Sequence, residues 1–156
     1  MGHTMQYTSP LGELVLASDG EALIGAWFAG QAHFGLGLGA HQERSDAVLQ
    51  AAAHWLDDYF AGKAPGALPK LRPRSTDFQQ AVWAKLLEIP RGETTTYGAI
   101  AAALGSSARA VGGAVGRNPI SVFIPCHRVL GAGGALTGYA GGIERKTALL
   151  KTEGIE

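Results

Sequence analysis

Cysteine is almost absent from this sequence: Cys126 is the only one among 156 residues. A single thiol cannot close a disulfide within the chain, and it cannot supply the several thiolates of a structural zinc cluster. The histidines His3, His33, His41 and His54 lack the spacing of metal ligands. The sequence therefore excludes an internal disulfide framework, and we expect no bound metal.

Long apolar runs are absent too, since no stretch approaches the roughly 20 apolar residues that a membrane-spanning helix needs. The first residues lack the basic segment followed by an apolar one that marks a secretory leader. Hydrophobic residues make up 46% of the chain and charged residues 17%, a balance that allows a folded core. We therefore expect a cytoplasmic protein, or a nuclear one in a eukaryote, without a membrane partner.

Neither sign of charge is in excess, because 13 Lys and Arg balance 13 Asp and Glu. Residues 1–73 carry four basic against seven acidic side chains, however, whereas residues 74–156 carry nine against six. The sign changes inside a stretch rich in Pro, Gly and basic residues, which is typical of a linker. We predict an N-terminal domain at 1–70, a linker at 71–75 and a C-terminal domain at 76–156. The small basic excess predicts few phosphate contacts.

Local patterns predict both strands and helices in the first half of the chain. Turn signals and β-forming residues favour strands in the first thirty residues, among them Glu13–Ser18 and Glu21–Phe28. A glycine-rich loop is predicted at 35–40. Apolar residues at helical spacing predict a helix over Asp46–Phe60, and a last amphipathic helix is predicted over Glu144–Glu153.

The middle of the chain predicts three more helices. Thr76 and Gln79 form a capping-box pattern at the start of the first. Two shorter helices follow, one at 94–105 and one that Ser106 or Ser107 caps. Two short helices joined by a Gly-Ser turn are typical of a helix-turn-helix, although most paired helices only pack against each other. DNA binding is therefore one of two interpretations of this pair.

Cys126 follows a predicted buried strand, Ser121–Ile124, and a proline. A lone cysteine is commonly a small buried hydrophobic residue. The neighbouring side chains of His127 and Arg128 would instead favour a thiolate and lower the pKa of the thiol. The glycine-rich segment Gly131–Gly142 would let main chain approach a ligand closely. A packed cysteine and a reactive thiol both remain open.

Five segments in order resemble those of the O6-alkylguanine-DNA alkyltransferases, also called methylated-DNA–protein-cysteine methyltransferases. The sequence "IPCHRV" resembles the active-site signature of that family. The resemblance is strong over residues 76–154 and looser over residues 5–75. The five segments are Phe78–Trp83, Arg91–Ala101, Ala108–Pro119, Ile124–Val129 and Thr137–Gly154.

The resemblance implies an α/β fold in two parts. The first would be a small N-terminal mixed β-sheet with helix, of ribonuclease-H-like type, and the second a mostly helical winged-helix domain with a helix-turn-helix. It implies direct repair of O6-alkylguanine, and less well of O4-alkylthymine, in double-stranded DNA bound through the minor groove. The alkyl group would pass irreversibly to the protein's own cysteine, so a monomer would act once without a cofactor.

The resemblance also implies roles for five residues near the thiol. Cys126 would be the nucleophile and alkyl acceptor, and His127 would take its proton through a water. Glu153 would hold the other nitrogen of the histidine, and Asn118 would brace the turn around the cysteine. Tyr97 would turn the target phosphate and donate a hydrogen bond to the departing guanine.

For DNA and substrate the resemblance implies a recognition helix at about 107–117, with Arg109 replacing the flipped base in the stack. Ala140 stands where some relatives have serine, and Gly116 stands where some have a basic residue, which affects substrate preference and DNA affinity. The implied DNA-binding residues are Tyr97, Arg109, Ala110, Gly112, Gly113 and Arg117. The implied pocket residues are Val115, Val129, Tyr139 and Ala140.

Two other functions are weighed against alkyl transfer. A noncatalytic damage sensor would flip the alkylated base and transfer nothing, but the cysteine that such relatives replace is retained here. A cysteine hydrolase would turn over an ester or amide and would show no permanent gain of mass.

Overall fold

The computed structural model describes residues 2–35, 38–136 and 139–155. Its backbone contacts separate the chain into two units. The first unit holds the described residues up to Arg74 together with Pro119–Phe123, and the second holds Ser75–Asn118 and the described residues from Ile124 onward. The division that the composition suggests, with domains at 1–70 and 76–156 and a linker at 71–75, stays a prediction. Residues 36 and 37 of the predicted loop lie outside the described residues.

The first unit contains a four-stranded mixed sheet in the order β3-β2-β1-β4. β1 and β2 form an antiparallel hairpin, and β2 pairs antiparallel with β3. The short edge strand β4 runs parallel to β1. The strands are β1 (Gly2–Ser9), β2 (Gly12–Ser18), β3 (Leu23–Phe28) and β4 (His41–Glu43).

Helix α1 (Ala47–Phe60) packs on this sheet through one apolar face. Its buried residues Leu49, Ala52, Leu56 and Tyr59 recur at helical spacing, which confirms the helix predicted over this segment. Asp46 caps the helix by accepting a hydrogen bond from the Leu49 amide at 2.8 Å. The same carboxylate accepts from His3 at 2.9 Å and from the Ser18 hydroxyl, so the cap also joins α1 to β1 and β2.

Pro119–Phe123 attaches to the first unit through the main chain of β3. The Ala26 amide donates to the Pro119 carbonyl at 2.8 Å, and the Ser121 amide donates to the Ala26 carbonyl at 2.9 Å. The strand predicted over Ser121–Ile124 is wrong, because Val122 has a φ of 74°, in the left-handed region. That conformation turns the chain at Val122 and Phe123, and Ile120 before the turn forms an isolated bridge with Ala26.

The second unit is mostly helical, with a small parallel sheet. β5 and β6 pair Thr95 with Val129 and Thr96 with Leu130. This unit and the mixed sheet of the first confirm the predicted α/β fold class. The elements are α2 (Asp77–Leu87), β5 (Thr95–Thr96), α3 (Tyr97–Leu104), α4 (Ala108–Gly116), β6 (Val129–Leu130) and α5 (Ile143–Thr152).

Side-chain caps set the start of three of these helices. The hydroxyls of Thr76, Thr96 and Ser107 accept from main-chain amides at 3.2, 3.0 and 3.1 Å. Gly105 ends α3 with a φ of 64°, which a glycine adopts without steric cost. Helix α4 follows after a short turn, and the chain bends by 109° between the two helices. Among the described residues no single helix is long and apolar enough to cross a membrane, and only α3 and α4 taken together have such length and composition.

A close approach in β3 generates a stability prediction. A Cβ added at Gly25 would lie 2.1 Å from Cη2 of Trp27, whose ring is 1% exposed. We expect Gly25→Ala to lower the free energy of unfolding by about 1–3 kcal/mol, because the buried indole must move. Urea unfolding followed by tryptophan fluorescence measures this. Gly98→Ala in α3 is the control: its Cβ would meet only Thr96 at 3.9 Å and should leave stability equal or slightly higher. Equal stability of Gly25→Ala and the parent chain would contradict the prediction.

Candidate active site

The lone cysteine begins a single 3₁₀ turn, Cys126–Arg128, that leads into β6. Pro125 has φ −81° and ψ 64°, and the Cys126 amide donates to the Ile124 carbonyl at 2.8 Å. These are the features of an inverse γ-turn, which reverses the chain over three residues. Cys126 is 3% exposed, so this turn presents the thiol to the interior of the second unit.

Asn118 lies at the end of α4 and reaches the turn that carries the thiol. Its side-chain amide donates to the Ile124 carbonyl at 2.8 Å and to Sγ of Cys126 at 3.2 Å. Asn118 is 3% exposed. A single buried amide just after α4 therefore joins the end of that helix, the γ-turn and the sulfur.

His127 and Glu153 form a buried pair. Nε2 of His127 lies 2.5 Å from Oε2 of Glu153, and neither side chain is exposed to solvent. Glu153 follows α5 directly and its other oxygen, Oε1, accepts from Nε of Arg128 at 2.7 Å and from the Gly92 amide at 3.1 Å. The structure thus brings together Cys126, Asn118, His127 and Glu153, four of the residues predicted at the reaction centre.

Burial keeps the imidazole of His127 neutral. Loss of solvent lowers the pKa of His127, and this effect outweighs the hydrogen bond and the charge of Glu153, which both raise it. The positive charges of Arg128 and Lys146 also lower the pKa. A neutral imidazole has a free electron pair, so it is the form that can accept a proton.

Burial also keeps the thiol protonated. It raises the pKa of Cys126 to about 11, against smaller effects of the Asn118 amide, the Lys146 charge and nearby main-chain amides, which lower it. The prediction that His127 and Arg128 bring the pKa of the Cys126 thiol below its ordinary value is therefore wrong for this structure. The reason is geometric: the guanidinium of Arg128 is directed at Glu153, and burial makes His127 neutral.

Lys146 is a buried charged residue that sequence reasoning missed. It has no exposed surface, its Nζ donates to the Val129 carbonyl at 2.5 Å, and it lies 5.8 Å from the ring centre of Tyr97. Burial lowers the pKa of Lys146, and its interaction with Cys126 opposes that effect. Lys146 lies on the buried face of α5 with Leu149 and Leu150. A charged residue on an apolar stripe was the signal that could have identified it.

A cleft of about 550 Å³ lies beside α3 and α4. It brings together three residues predicted to bind DNA, namely Tyr97, Arg109 and Gly112, and Arg109 is exposed. Arg117 is also exposed, and its guanidinium donates to the Gly113 carbonyl at 3.1 Å. The cleft is lined by Thr96, Tyr97, Gly98, Ala108, Arg109, Gly112 and Ala132. Ala110 is exposed on the same helix as Arg109.

The predicted pocket residues are mainly buried. Val115, Val129 and Tyr139 are 2%, 0% and 7% exposed, and Ala140 is half-buried. The ring centres of Tyr139 and His127 lie 6.5 Å apart with the planes at 82°, an edge-to-face contact. Residues 137 and 138 of the predicted glycine-rich ligand loop lie outside the described residues.

Two family models match the chain, one in each half. Residues 77–155 match "6-O-methylguanine DNA methyltransferase, DNA binding domain", and residues 4–68 match "6-O-methylguanine DNA methyltransferase, ribonuclease-like domain". The chain therefore belongs to the methylated-DNA–protein-cysteine methyltransferase family. This agrees with the fold class and with the family resemblance of the sequence.

Named relatives extend over nearly the whole chain. The methylated-DNA–protein-cysteine methyltransferase of Mycobacterium tuberculosis is 45% identical over 98% of this chain and 93% of the relative. That of Methanosarcina acetivorans is 43% identical over 95% and 96%. Among solved structures, the Mycobacterium tuberculosis OGT in complex with DNA has a TM-score of 0.88 and 45% identity, covering 97% of this chain and 92% of that one.

The raised thiol pKa generates a prediction for the isolated protein. With a pKa of about 11, Cys126 should react with iodoacetamide at a rate that still rises above pH 9, because the thiolate fraction has not saturated. At neutral pH it should hold roughly 300-fold less thiolate than a free cysteine of pKa about 8.5. Mass spectrometry of the adduct across the pH range measures this.

The same chain unfolded in urea is the control, and its reaction should level off near the pKa of a free cysteine, about 8.5. A rate in the folded protein that levels off at or below that pH would contradict the raised pKa.

Proposed function

We propose that this chain repairs O6-alkylguanine in DNA by moving the alkyl group to Cys126. The observation that carries the proposal is the arrangement on one turn of a lone buried thiol, which accepts from Asn118, and a neutral His127 paired with Glu153. The family to which the chain belongs consists of relatives named for this transfer. The noncatalytic sensor receives no support from those names.

The reaction exchanges one bond for another without oxidation or reduction. The sulfur of Cys126 attacks the alkyl carbon, an S–C bond forms, and the C–O6 bond breaks with its electrons left on the guanine. The thiol proton leaves to His127 through a water, and one proton is returned to the guanine, so that the net reaction exchanges the thiol proton for the alkyl group. The product thioether has no low-energy route back, so each molecule acts once, and no cofactor is required because the protein itself is the acceptor.

Proton transfer must be coupled to the attack, because the resting site favours thiol and neutral imidazole. As negative charge develops on sulfur, the Asn118 amide and the Lys146 ammonium stabilise it. As positive charge develops on His127, the Glu153 carboxylate at 2.5 Å stabilises the imidazolium. Buried donors and charges of this kind are already oriented, so they need no reorganisation during the reaction.

For DNA we propose that the protein binds as a monomer and that α4 enters the minor groove of the duplex. The exposed guanidinium of Arg109 beside the cleft would fill the gap that the flipped base leaves. Tyr97, at the start of α3 and in the same cleft, would contact the target phosphate and the departing guanine. Gly112 and Gly113 would allow close approach to the sugar edges. Arg117 and Ala110 complete the contact surface.

We propose that Tyr139, Ala140, Val115 and Val129 enclose the flipped base. The contact of Tyr139 with His127 supports a pocket next to the reaction centre. O4-alkylthymine would be a poorer substrate of the same pocket. The protein would act where chromosomal DNA is accessible, in the cytoplasm or in the nucleus of a eukaryote.

Single use of Cys126 is tested with duplex DNA that contains O6-methylguanine. We expect one methyl mass per chain, on the peptide that holds Cys126, and then no further conversion. Cys126→Ser should abolish transfer but retain DNA binding, because the pKa of a hydroxyl is far above that of a thiol. Mass spectrometry measures the methyl transfer, and a binding assay measures the affinity for DNA. Conversion beyond one equivalent would indicate a hydrolase or another turnover mechanism.

The role of Arg109 is tested by comparing two substrates. Arg109→Ala should slow repair of duplex DNA at least about tenfold, whereas reaction with free O6-benzylguanine, which needs no base flipping, should change little. Single-turnover rates measure both. Arg44→Ala, which removes an exposed arginine of the first unit, is the matched control and should leave both rates unchanged. Equal losses on the two substrates would assign Arg109 to the fold or the pocket.

A further inference from the structure

Arg128 is the last residue of the 3₁₀ turn that carries Cys126 and His127. Its Nε donates to Oε1 of Glu153 at 2.7 Å, and its Nη1 donates to the Ile89 carbonyl at 2.7 Å. Its side chain is about nine-tenths buried, but these hydrogen bonds of its guanidinium do not involve the thiol of Cys126, two residues earlier. The guanidinium is therefore fixed at two points, one on a carboxylate and one on the main chain after α2.

These contacts divide the two oxygens of Glu153 between separate donors. Oε1 accepts from Arg128 and from the Gly92 amide, whereas Oε2 faces Nε2 of His127. Two donors on one oxygen fix the plane of the carboxylate and leave the second oxygen directed at the imidazole. Without the guanidinium, Oε1 would lose the shorter of these two hydrogen bonds and keep the one from the Gly92 amide at 3.1 Å.

The charges around His127 also indicate that Arg128 acts through Glu153. The ionisable groups around it include Glu153, Arg128, Lys146, the neighbouring thiol of Cys126 and the phenol of Tyr139, whose ring contacts the imidazole. A buried carboxylate without a cation either takes up a proton or attracts one onto its histidine partner. Arg128 supplies the neutralising charge in place of that proton.

We propose that Arg128 is a positioning residue that keeps Glu153 ionised and oriented, so that His127 is a neutral base at neutral pH. The effect of Arg128 on alkyl transfer rests on the proposed function. The geometry behind the proposal does not, since it involves Arg128, Glu153, His127 and Gly92 alone. Removal of the positive charge makes protonation of the His127–Glu153 pair easier, whichever of the two holds the proton.

The first measurement is independent of activity. Ring-nitrogen NMR of His127 against pH should show, in Arg128→Gln, a midpoint at least about one unit above that of the parent protein. Arg128→Lys keeps the charge and should stay within about half a unit of the parent. Lys85→Met removes a surface lysine that pairs with Glu88, and it should not move the midpoint. An unmoved midpoint in folded Arg128→Gln overturns the proposal.

The second measurement is the pH profile of inactivation by O6-benzylguanine. Arg128→Gln should approach a rate about tenfold below that of the parent at pH values below both His127 midpoints, and it should be clearly less impaired at about pH 8.5, because the pair loses its extra proton there. A structural role would instead lower the rate by the same factor at every pH. In a Glu153→Gln background, Arg128→Gln should shift the profile much less, since its partner is absent.

The outcomes separate the two proposals. If the parent protein gains no benzyl group on Cys126, the proposed function fails while the His127 midpoint still decides the role of Arg128. If Arg128→Gln does not fold, Arg128→Lys decides: a parent-like midpoint and profile support the proposal, and a shift of about one unit in either overturns it.

Discussion

The carboxylate of Glu153 is the group on which the arrangement of the second unit depends. A buried carboxylate without partners costs several kcal/mol, so it is retained only where donors surround it. Here the donors come from segments far apart in the chain, namely the Gly92 amide, the His127 ring and the Arg128 guanidinium. The end of α5, the loop after α2 and the 3₁₀ turn must therefore meet at one point. A fold that misplaced any of them would leave a buried charge unsatisfied.

Exclusion of water has opposite effects on the two proton carriers of the site, and both effects favour the neutral form. It raises the pKa of Cys126 and lowers the pKa of His127. The resting site thus holds a thiol and an imidazole, with the formal charges on Glu153, Arg128 and Lys146. Chemistry then depends on charges that develop together during alkyl transfer, in a setting whose dipoles are already oriented. A protein that modifies itself irreversibly benefits from a nucleophile that stays protonated and unreactive until the substrate binds.

The sequence allows the local features of this fold to be predicted better than the long-range ones. Helix α1 follows from apolar spacing and Thr76 from its capping pattern, because both depend on residues a few positions apart. β4 has three exposed residues and no apolar alternation, so its pairing with β1 leaves no local signal. The positive φ of Val122 and the pKa of Cys126 depend on packing that a linear pattern does not contain. The sequence likewise suggested that the nearby charge of Arg128 favours a thiolate, whereas the tertiary structure directs its guanidinium to Glu153.

The return of Pro119–Phe123 to the first unit affects how the chain can be divided. This short segment is hydrogen-bonded to Ala26 of β3, although its neighbours on both sides, Asn118 and Ile124, belong to the second unit. A protease that cut the connection near Arg74 would therefore not produce two self-sufficient pieces. The larger fragment would carry an apolar loop that belongs to the sheet of the smaller one. Such a nicked molecule should persist as a non-covalent pair of fragments, in the manner of a complementation system, rather than as two free domains.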